Sequence, residues 1–209
     1  MSYPHIVLAI ESAINGGSLS ILQNGVEISH WIGSASVSKA EELLVNIDAM
    51  LHSTGISKTE IDMIAVSAGP GSFTGIRIGL ATALGLKNGL DIKMSSVSAL
   101  TAMADTIEKH RILVVAVPTG RNAICIQTFE NSGTASSVSE PQTIAEEAFS
   151  EMLSTRADTH FVLHGSLCPR LGSAVSFTDI GVNIARLVGI YCTQRPVVIT
   201  EPLFISKTF

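Results

Sequence analysis

The sequence has few charged residues. Of its 209 residues, 15% are charged and 46% are hydrophobic, whereas about a quarter of an average soluble protein is charged. Lys and Arg number 13 and Asp and Glu number 18, which gives a net charge of −5. Because nucleic-acid backbones are bound through clustered Lys and Arg, this composition argues against a chain that binds nucleic acid on its own.

Long apolar runs and cysteine pairs are also missing. The longest apolar candidate, residues 76–90, is interrupted by polar residues and glycines and falls short of the ~18 residues that a membrane span needs. The first residues lack the basic start and the cleavage site of a secretory signal. Cys125, Cys168 and Cys192 are odd in number and show no CxxC spacing. We therefore expect a cytoplasmic chain with reduced thiols, no membrane contact and a protein partner for its weakly charged surface.

Two halves of the chain predict the same order of elements. In the first half, three short strands, an amphipathic helix, a strand and a second helix are predicted at 5–32, 38–53, 61–67 and 74–88. From residue 111 the strand, turn and strand pattern returns at an offset of about 106 residues. The order βββαβα, given twice, predicts an α/β protein of two duplicated lobes. Residues 1–105 form the first predicted lobe and residues 106–209 the second, more diverged one.

The segment SAGPGSFTGI, residues 67–76, connects a predicted strand to a predicted helix. Free N–H groups at such a junction can bind an anion. However, Gly69, Gly71 and Gly75 lack the lysine of a Walker motif, and their spacing is one residue longer than GxGxxG. Phosphate contact and a purely structural turn both remain open here, and Pro70 favours the turn.

The second predicted helix carries glycines on one side. Gly75, Gly79, Gly85 and Gly89 fall within one sector of the helix. Because glycine costs about 1 kcal/mol in a helix relative to alanine, such a row indicates that another backbone comes close. Two interpretations are open. The helix packs only on its own lobe, or one of its faces meets a second subunit.

The segment AVSAGPGSFTGIRIGLATALGL, residues 65–86, resembles the signature of the bacterial TsaB (YeaZ) family of tRNA threonylcarbamoyladenosine biosynthesis proteins. The segments LAIES, SLSIL, EELLVNIDAML, SSVSAL and EPLFI resemble the same family. The resemblance implies an actin-like, Hsp70-like and sugar-kinase-like (ASKHA) fold of two duplicated lobes, which agrees with the repeat.

The resemblance also implies a function. Such proteins are non-catalytic subunits that pair with the catalytic paralogue TsaD, and with the ATPase TsaE, to place threonylcarbamoyl on the adenosine beside the anticodon. The tRNA is then contacted only through the complex. Family members form homodimers, and pairing with either partner uses the first two helices. The interface residues implied for this chain are Glu41, Leu44, Val45, Gly75, Ile76, Arg77, Gly79, Leu80 and Ala83.

This sequence departs from the family at its carboxylates. The usual Asp-Thr-Ser after the first strand is Glu11-Ser12-Ala13, and the Asp-Ala-Arg-Arg of the second lobe is Pro-Thr-Gly-Arg at 118–121. In this fold the missing aspartates usually face phosphates and metal. We therefore expect no cofactor held by this chain alone, and ATP or ADP only in a complex with the partner. The residues placed near such a nucleotide are Glu11, Gly69, Gly71 and Ser72.

Two rival functions remain open: an ATP-hydrolysing or small-molecule kinase enzyme of the same fold, and a protease-like protein. Ser72 lacks the GxSxG context of a hydrolase nucleophile, which weighs against the second. His160 and His164 have the spacing of a metal pair. On a predicted strand, however, positions four apart lie roughly 13 Å from each other, so we expect no metal there.

Overall fold

The computed structural model describes residues 5–34, 39–108, 112–120, 122–131, 135–156, 159–170 and 176–195. The segment EPLFI at 201–205, which resembles the family, and Arg121 of the second-lobe motif lie outside these ranges. Within them, two β-sheets and five α-helices follow one another along the chain.

The first sheet contains five strands in the order β3-β2-β1-β4-β5. They are β1 (Ile6–Glu11), β2 (Ser18–Gln23), β3 (Val26–Ile32), β4 (Met63–Ser67) and β5 (Lys93–Val97). Strands β1, β4 and β5 run parallel, whereas β2 pairs antiparallel with both β1 and β3. Every residue of β1 and β4 is buried, as expected for parallel strands that are covered on both faces.

The second sheet repeats this arrangement with variations. It contains β6 (Leu113–Gly120), β7 (Ala123–Asn131), β8 (Ala135–Ser137), β9 (Gln142–Ala145), β10 (His160–Leu163) and β11 (Phe177–Asp179). The strand order is β11-β10-β6-β7-β8, and β9 also pairs with β7. As in the first sheet, the central strands are parallel and the first hairpin is antiparallel. The two related sheets agree with the predicted duplication.

The helices are α1 (Lys39–Thr54), α2 (Phe73–Leu90), α3 (Ala99–Ala104), α4 (Glu146–Thr155) and α5 (Ile184–Gln194). The first two agree with the prediction within two residues. The second half differs more from the predicted order βββαβα. An additional strand, β9, precedes α4, and a 3-10 turn (Gly165–Arg170) stands between β10 and β11, where α2 stands in the first half. Strand β11 was not predicted, because it has only three residues.

Helices α3 and α5 fill the space between the two sheets. One core of buried side chains includes Val7 of β1, Met103 of α3, Val115 of β6 and Val188 of α5. Helix α5, which follows the second sheet, packs on the first sheet, and its Gly189 lies against Ala9 and Leu22. A lobe boundary at residue 105 stays a prediction, since elements on both sides of it build this core. No helix in the described ranges has the length and hydropathy to cross a bilayer.

A polar network fixes the start of α5 to the first sheet. Asn183 Nδ2 donates to Glu27 Oε1 at 2.7 Å, and Ser20 Oγ donates to the same oxygen at 2.6 Å. The backbone N–H of Ala185 donates to Ser18 Oγ at 2.9 Å. The Asn183 side chain also caps α5 by accepting from the N–H of Arg186. One amide therefore serves as helix cap and as cross-link between the two halves of the chain.

Replacing this amide tests its contribution. We expect Asn183→Ala to lower the free energy of unfolding by about 1–3 kcal/mol, since it removes a helix cap and leaves a carboxylate oxygen with one donor fewer. Urea denaturation followed by circular dichroism measures the change. The exposed Gln142→Ala serves as the matched control and should stay within about 0.5 kcal/mol of the unsubstituted chain. Equal stabilities for the two variants would contradict the proposed cross-link.

Candidate functional site: the glycine loop and the outer helices

Backbone hydrogen bonds hold the glycine loop that joins β4 to α2. The N–H of Ala68 donates to the Val97 carbonyl at 2.9 Å, and the Gly69 carbonyl accepts from the N–H of Ala99 at 2.8 Å. At the far end of the loop, the N–H of Ser72 donates to the Ala13 carbonyl at 2.8 Å. The loop is therefore tied to the turn after β1 and to the start of α3. Each of these contacts gives it a structural role.

Glycines allow α2 to lie directly on the turn that follows β1. A Cβ on Gly71 would overlap Ala13, and a Cβ on Gly75 would overlap the backbone of Ser12 and Ala13. At Gly79, a Cβ would overlap the Ser12 hydroxyl. That hydroxyl donates to the Gly75 carbonyl at 2.7 Å. The close backbone approach predicted from the glycines therefore exists, and it is made within this chain.

Four of the residues predicted at a partner interface lie on the inward side of α2, and their contact with a partner stays a prediction. Gly75, Ile76, Gly79 and Ala83 are buried against the chain's own first sheet and first turn. Their sector of α2 points inward because only glycine fits over Ser12. By contrast, Gly85 and Gly89 have no atom within 4 Å of an added Cβ and lie exposed. The predicted single glycine face is thus divided into an inward part and an open part.

A pair of alanine substitutions separates the two parts. Gly79→Ala should destabilise the chain by about 1–3 kcal/mol, because the new methyl group must displace Ser12. Gly85→Ala should stabilise it by about 0.5–1 kcal/mol, since alanine is the better helix former and its methyl group meets open space. Thermal melting of both variants under identical conditions checks the signs. Destabilisation of similar size in both would contradict the inward orientation of Gly79.

Glu11 has a structural partner in its own turn. Its side chain is 1% exposed, and Oε1 accepts from the N–H groups of Ala13 and Ile14, the latter at 2.9 Å. Ser72 accepts from the N–H of Gly75 at 3.3 Å and so caps α2. The role of Glu11, Gly69, Gly71 and Ser72 near a nucleotide stays a prediction.

The outer surface of α1 and α2 exposes large apolar side chains. Leu44 and Val45 on α1 are 56% and 68% exposed, and Phe73 and Leu84 on α2 are 49% and 46% exposed. Together with Arg77 we call these residues the outer-helix patch. Leu44, Val45 and Arg77 were predicted from the sequence at this surface, whereas Phe73 and Leu84 were missed. Their spacing could have indicated them. Positions 73, 77, 81, 84 and 88 share one face of a helix, and all five are exposed in the structure.

Arg77 stacks on Phe73 within the patch. Its guanidinium carbon lies 3.8 Å from the centre of the Phe73 ring, which is the geometry of a cation–π contact. Leu80, also predicted at the interface, is half-buried and packs on the core under α1 and α2. Glu41 lies in α1, but its side chain is outside the part that the structure describes.

A cavity of about 280 Å³ lies between the two halves. It is lined by Asn15, Pro118, Gly120, Asn122, Ala123, Ile124, Glu146, Ser166 and Leu167. Asn15 belongs to the turn after β1, and the others belong to the second half. None of the four residues predicted near a nucleotide is among this lining.

His160 begins β10 and His164 directly follows it, and the two side chains have separate hydrogen-bond partners. The ring nitrogens of His160 lie 2.9 Å from Ser176 Oγ and 2.8 Å from Thr178 Oγ1, whereas His164 Nδ1 lies 2.8 Å from Ser166 Oγ. No group of three metal-binding side chains occurs among the residues described. Burial lowers the pKa of His164 to about 4, although the Asp179 carboxylate and the Val182 backbone act in the opposite direction.

The three cysteines are free thiols. Cys125 and Cys192 are buried and Cys168 is half-buried. Burial raises the pKa of Cys125 to about 12 and that of Cys168 and Cys192 to about 11. Since the thiolate is the reactive form, this agrees with the expected reduced thiols.

The buried His164 predicts a dependence of stability on pH. In the unfolded chain, His164 takes up a proton below the ordinary histidine pKa of 6.5. In the folded chain the same side chain stays neutral until the pH falls to about 4. Stability should therefore fall as the pH drops through this window, by about 3 kcal/mol in total from this group. Urea denaturation at pH 7.5, 5.5 and 4.5 measures it. His164→Gln, whose amide does not titrate, should show a smaller loss, and an identical pH profile would contradict the assignment.

Comparison with known proteins shows the family to which the chain belongs. A family model described as TsaD, tRNA N6-adenosine threonylcarbamoyltransferase, matches residues 34–196. The chain belongs to this family. The tRNA threonylcarbamoyladenosine biosynthesis proteins TsaB of Haemophilus influenzae and Escherichia coli are each 35% identical to it, over 106 and 98 residues. These alignments cover 50% and 47% of this chain and 44% and 42% of the two relatives. The chain therefore matches less than half of their length.

Solved structures agree on the fold of this TsaD-family chain. A Pseudomonas aeruginosa protein described as similar to peptidase YeaZ superposes with a TM-score of 0.69 at 18% identity, covering 96% of this chain and 99% of that one. A Bacteroides thetaiotaomicron protein with an actin-like ATPase fold gives a TM-score of 0.50 at 12% identity, covering 90% and 96%. At such identities the likeness shows the fold alone. The predicted TsaB/YeaZ resemblance and the actin-like α/β fold are confirmed.

Proposed function

We propose that this chain takes part in threonylcarbamoyladenosine modification of tRNA as a non-catalytic subunit. In this proposal it pairs with a TsaD-like catalytic paralogue, acts together with a TsaE-like ATPase, and also forms a homodimer. It meets tRNA only through the complex, as the net charge of −5 favours. The names of its relatives support the pathway, and the outer-helix patch supports the scaffold role.

The outer-helix patch carries the proposal. Its four apolar side chains lie on two adjacent helices, and its fifth member is an arginine stacked on an aromatic ring. Aromatic residues and arginine dominate the energetic centres of protein interfaces. Large apolar side chains exposed on two neighbouring helices favour a protein partner. The open positions Gly85 and Gly89 would let a partner helix approach the backbone of α2.

The position of Glu11 supports a subunit that is not itself an enzyme. A carboxylate that serves phosphates or metal must present its oxygens to the ligand. Glu11 is 1% exposed, and one of its oxygens accepts two backbone N–H groups. We propose that this chain holds no nucleotide alone, and that ATP or ADP is held in the complex with the partner.

A charge placed in the patch tests the proposal. Val45→Glu should weaken binding of the TsaD-like partner at least tenfold, because a carboxylate would have to be buried at the interface. The measurement is isothermal titration calorimetry with the purified partner, together with the threonylcarbamoyladenosine formed in tRNA when the TsaE-like ATPase is added. We expect both binding and product to fall together.

Val138→Glu is the matched control, because Val138 is 57% exposed and lies in the second half, after β8. This variant should bind and support modification like the unsubstituted chain. Full modification without any of this chain would refute its requirement. Hydrolysis of ATP by the chain alone, abolished by Glu11→Ala, would instead support the rival enzyme function.

A further inference from the structure

The cavity between the two halves combines exposed amides with a buried apolar lining. Asn15 and Asn122 line it and are exposed to solvent, whereas Ile124 and Leu167 of the same lining are buried. Its volume of about 280 Å³ is close to the lower limit of pockets that hold small molecules. The cavity is therefore suited to a compact ligand that has an apolar body and a polar group.

Ser166 also lines the cavity, and the buried His164 determines how its hydroxyl group bonds. The backbone N–H of Ser166 donates to His164 Nδ1 at 3.2 Å, so this ring nitrogen carries a lone pair and no proton. Ser166 Oγ lies 2.8 Å from the same nitrogen and can therefore bond to it only as a donor. Burial lowers the pKa of His164 to about 4, which keeps the ring neutral at neutral pH. The Ser166 oxygen thus offers its lone pairs, and no proton, to a ligand.

The charge of the lining comes from the carboxylate of Glu146. Among the described residues, no Lys, Arg or His side chain lines the cavity. Glu146 is half-buried, and salt screens a partly buried charge less than an exposed one.

One feature of the same wall favours an anion. Glu146 begins α4, and the N-terminal end of a helix carries a partial positive charge. The carboxylates of Glu146 and Glu147 both lie in this first turn and offset that charge. An anion in the cavity would also meet the Glu146 carboxylate. The lining as a whole therefore favours a ligand that donates hydrogen bonds and is positively charged.

We propose that this cavity binds a small organic ammonium compound, whose ammonium group donates to Glu146 and Ser166 and whose apolar body packs on Ile124 and Leu167. An ammonium group has donors and no acceptor, which matches a carboxylate and a hydroxyl oxygen that is fixed as an acceptor. A purely apolar molecule would leave these acceptors without partners, which costs free energy. The cavity is separate from the outer-helix patch, and this proposal does not depend on the proposed function.

Three probes that share a ring and differ in charge test the ligand class. Cyclohexylamine, cyclohexanol and cyclohexanecarboxylate are positive, neutral and negative at neutral pH. Each is titrated into the 15N-labelled chain, and the amide resonances of Ile124 and Leu167 report binding in the cavity. We expect the amine to bind with a dissociation constant at least about fivefold lower than that of the alcohol, because charge-assisted hydrogen bonds are the stronger ones. The carboxylate should leave these resonances unshifted.

Two results of these titrations would overturn the proposal. One is binding of the alcohol or the carboxylate as tightly as the amine. The other is the absence of any shift at Ile124 and Leu167 with the amine up to about 50 mM, since a ligand of this size is expected to bind in the millimolar range.

A pair of glutamine substitutions separates the cavity from the overall acidity of the chain. Glu146→Gln should weaken binding of the amine at least about fivefold and change binding of the alcohol by less than about twofold. Glu147→Gln is the matched control, because Glu147 is the next residue of the same helical turn, is exposed and does not line the cavity. It removes the same charge and should change binding of the amine by less than about twofold. Equal weakening in the two variants would overturn the proposal.

Ser166→Ala tests the second acceptor. It should weaken binding of the amine at least about twofold, because the ammonium group loses one hydrogen-bond partner. An unchanged far-ultraviolet circular dichroism spectrum shows that the variant is folded, and the exposed Ser150→Ala of α4 is its control. Binding of the amine that is unchanged by both Ser166→Ala and Glu146→Gln would overturn the proposal.

Discussion

The contact between α2 and the turn after β1 organises the first half of the molecule. Helix α2 approaches so closely that Gly75 and Gly79 lie on Ser12, with the Ser12 hydroxyl donating to a helix carbonyl. That approach fixes which side of α2 is inward. Leu84 and Phe73 are exposed because they lie on the opposite side of the helix from Gly75 and Gly79, which pack against Ser12. The surface proposed to bind a partner is thus a consequence of an internal packing constraint.

The second organising feature is the exchange of helices across the middle of the molecule. Helix α5 comes last among the described elements, yet it packs on the first sheet and shares a core with α3. Asn183 holds its start by bonding to Glu27 of β3. Because the two sheets share this core, the two halves should unfold together. The repeat is visible in the sequence, buried residues of both halves share one core, and the lobe boundary at residue 105 stays a prediction.

Local pattern predicted much of the first half. The amphipathic spacing of α1 gave its bounds within one residue, the bounds predicted for α2 agree within two residues, and the buried strands β1 and β4 were apparent as apolar runs. The direction in which α2 faces could not be predicted, because both of its sides are apolar or small and only the position of Ser12 decides between them. Likewise β9 and β11 are too short for a periodic signal, and their existence depends on pairing with β7 and β10. The residues of the outer-helix patch could be named only in part for the same reason.

The 3-10 turn between β10 and β11 makes the two halves of the molecule unequal in their helices. The first half has an 18-residue helix at this place, whereas the described part of the second half has a turn of six residues. A duplicated protein with two equal helical faces could bind partners at both ends and extend into a chain of subunits. If the outer-helix patch binds a partner as proposed, the described part of the second half offers no helix of that length at the equivalent place for a second contact of the same kind.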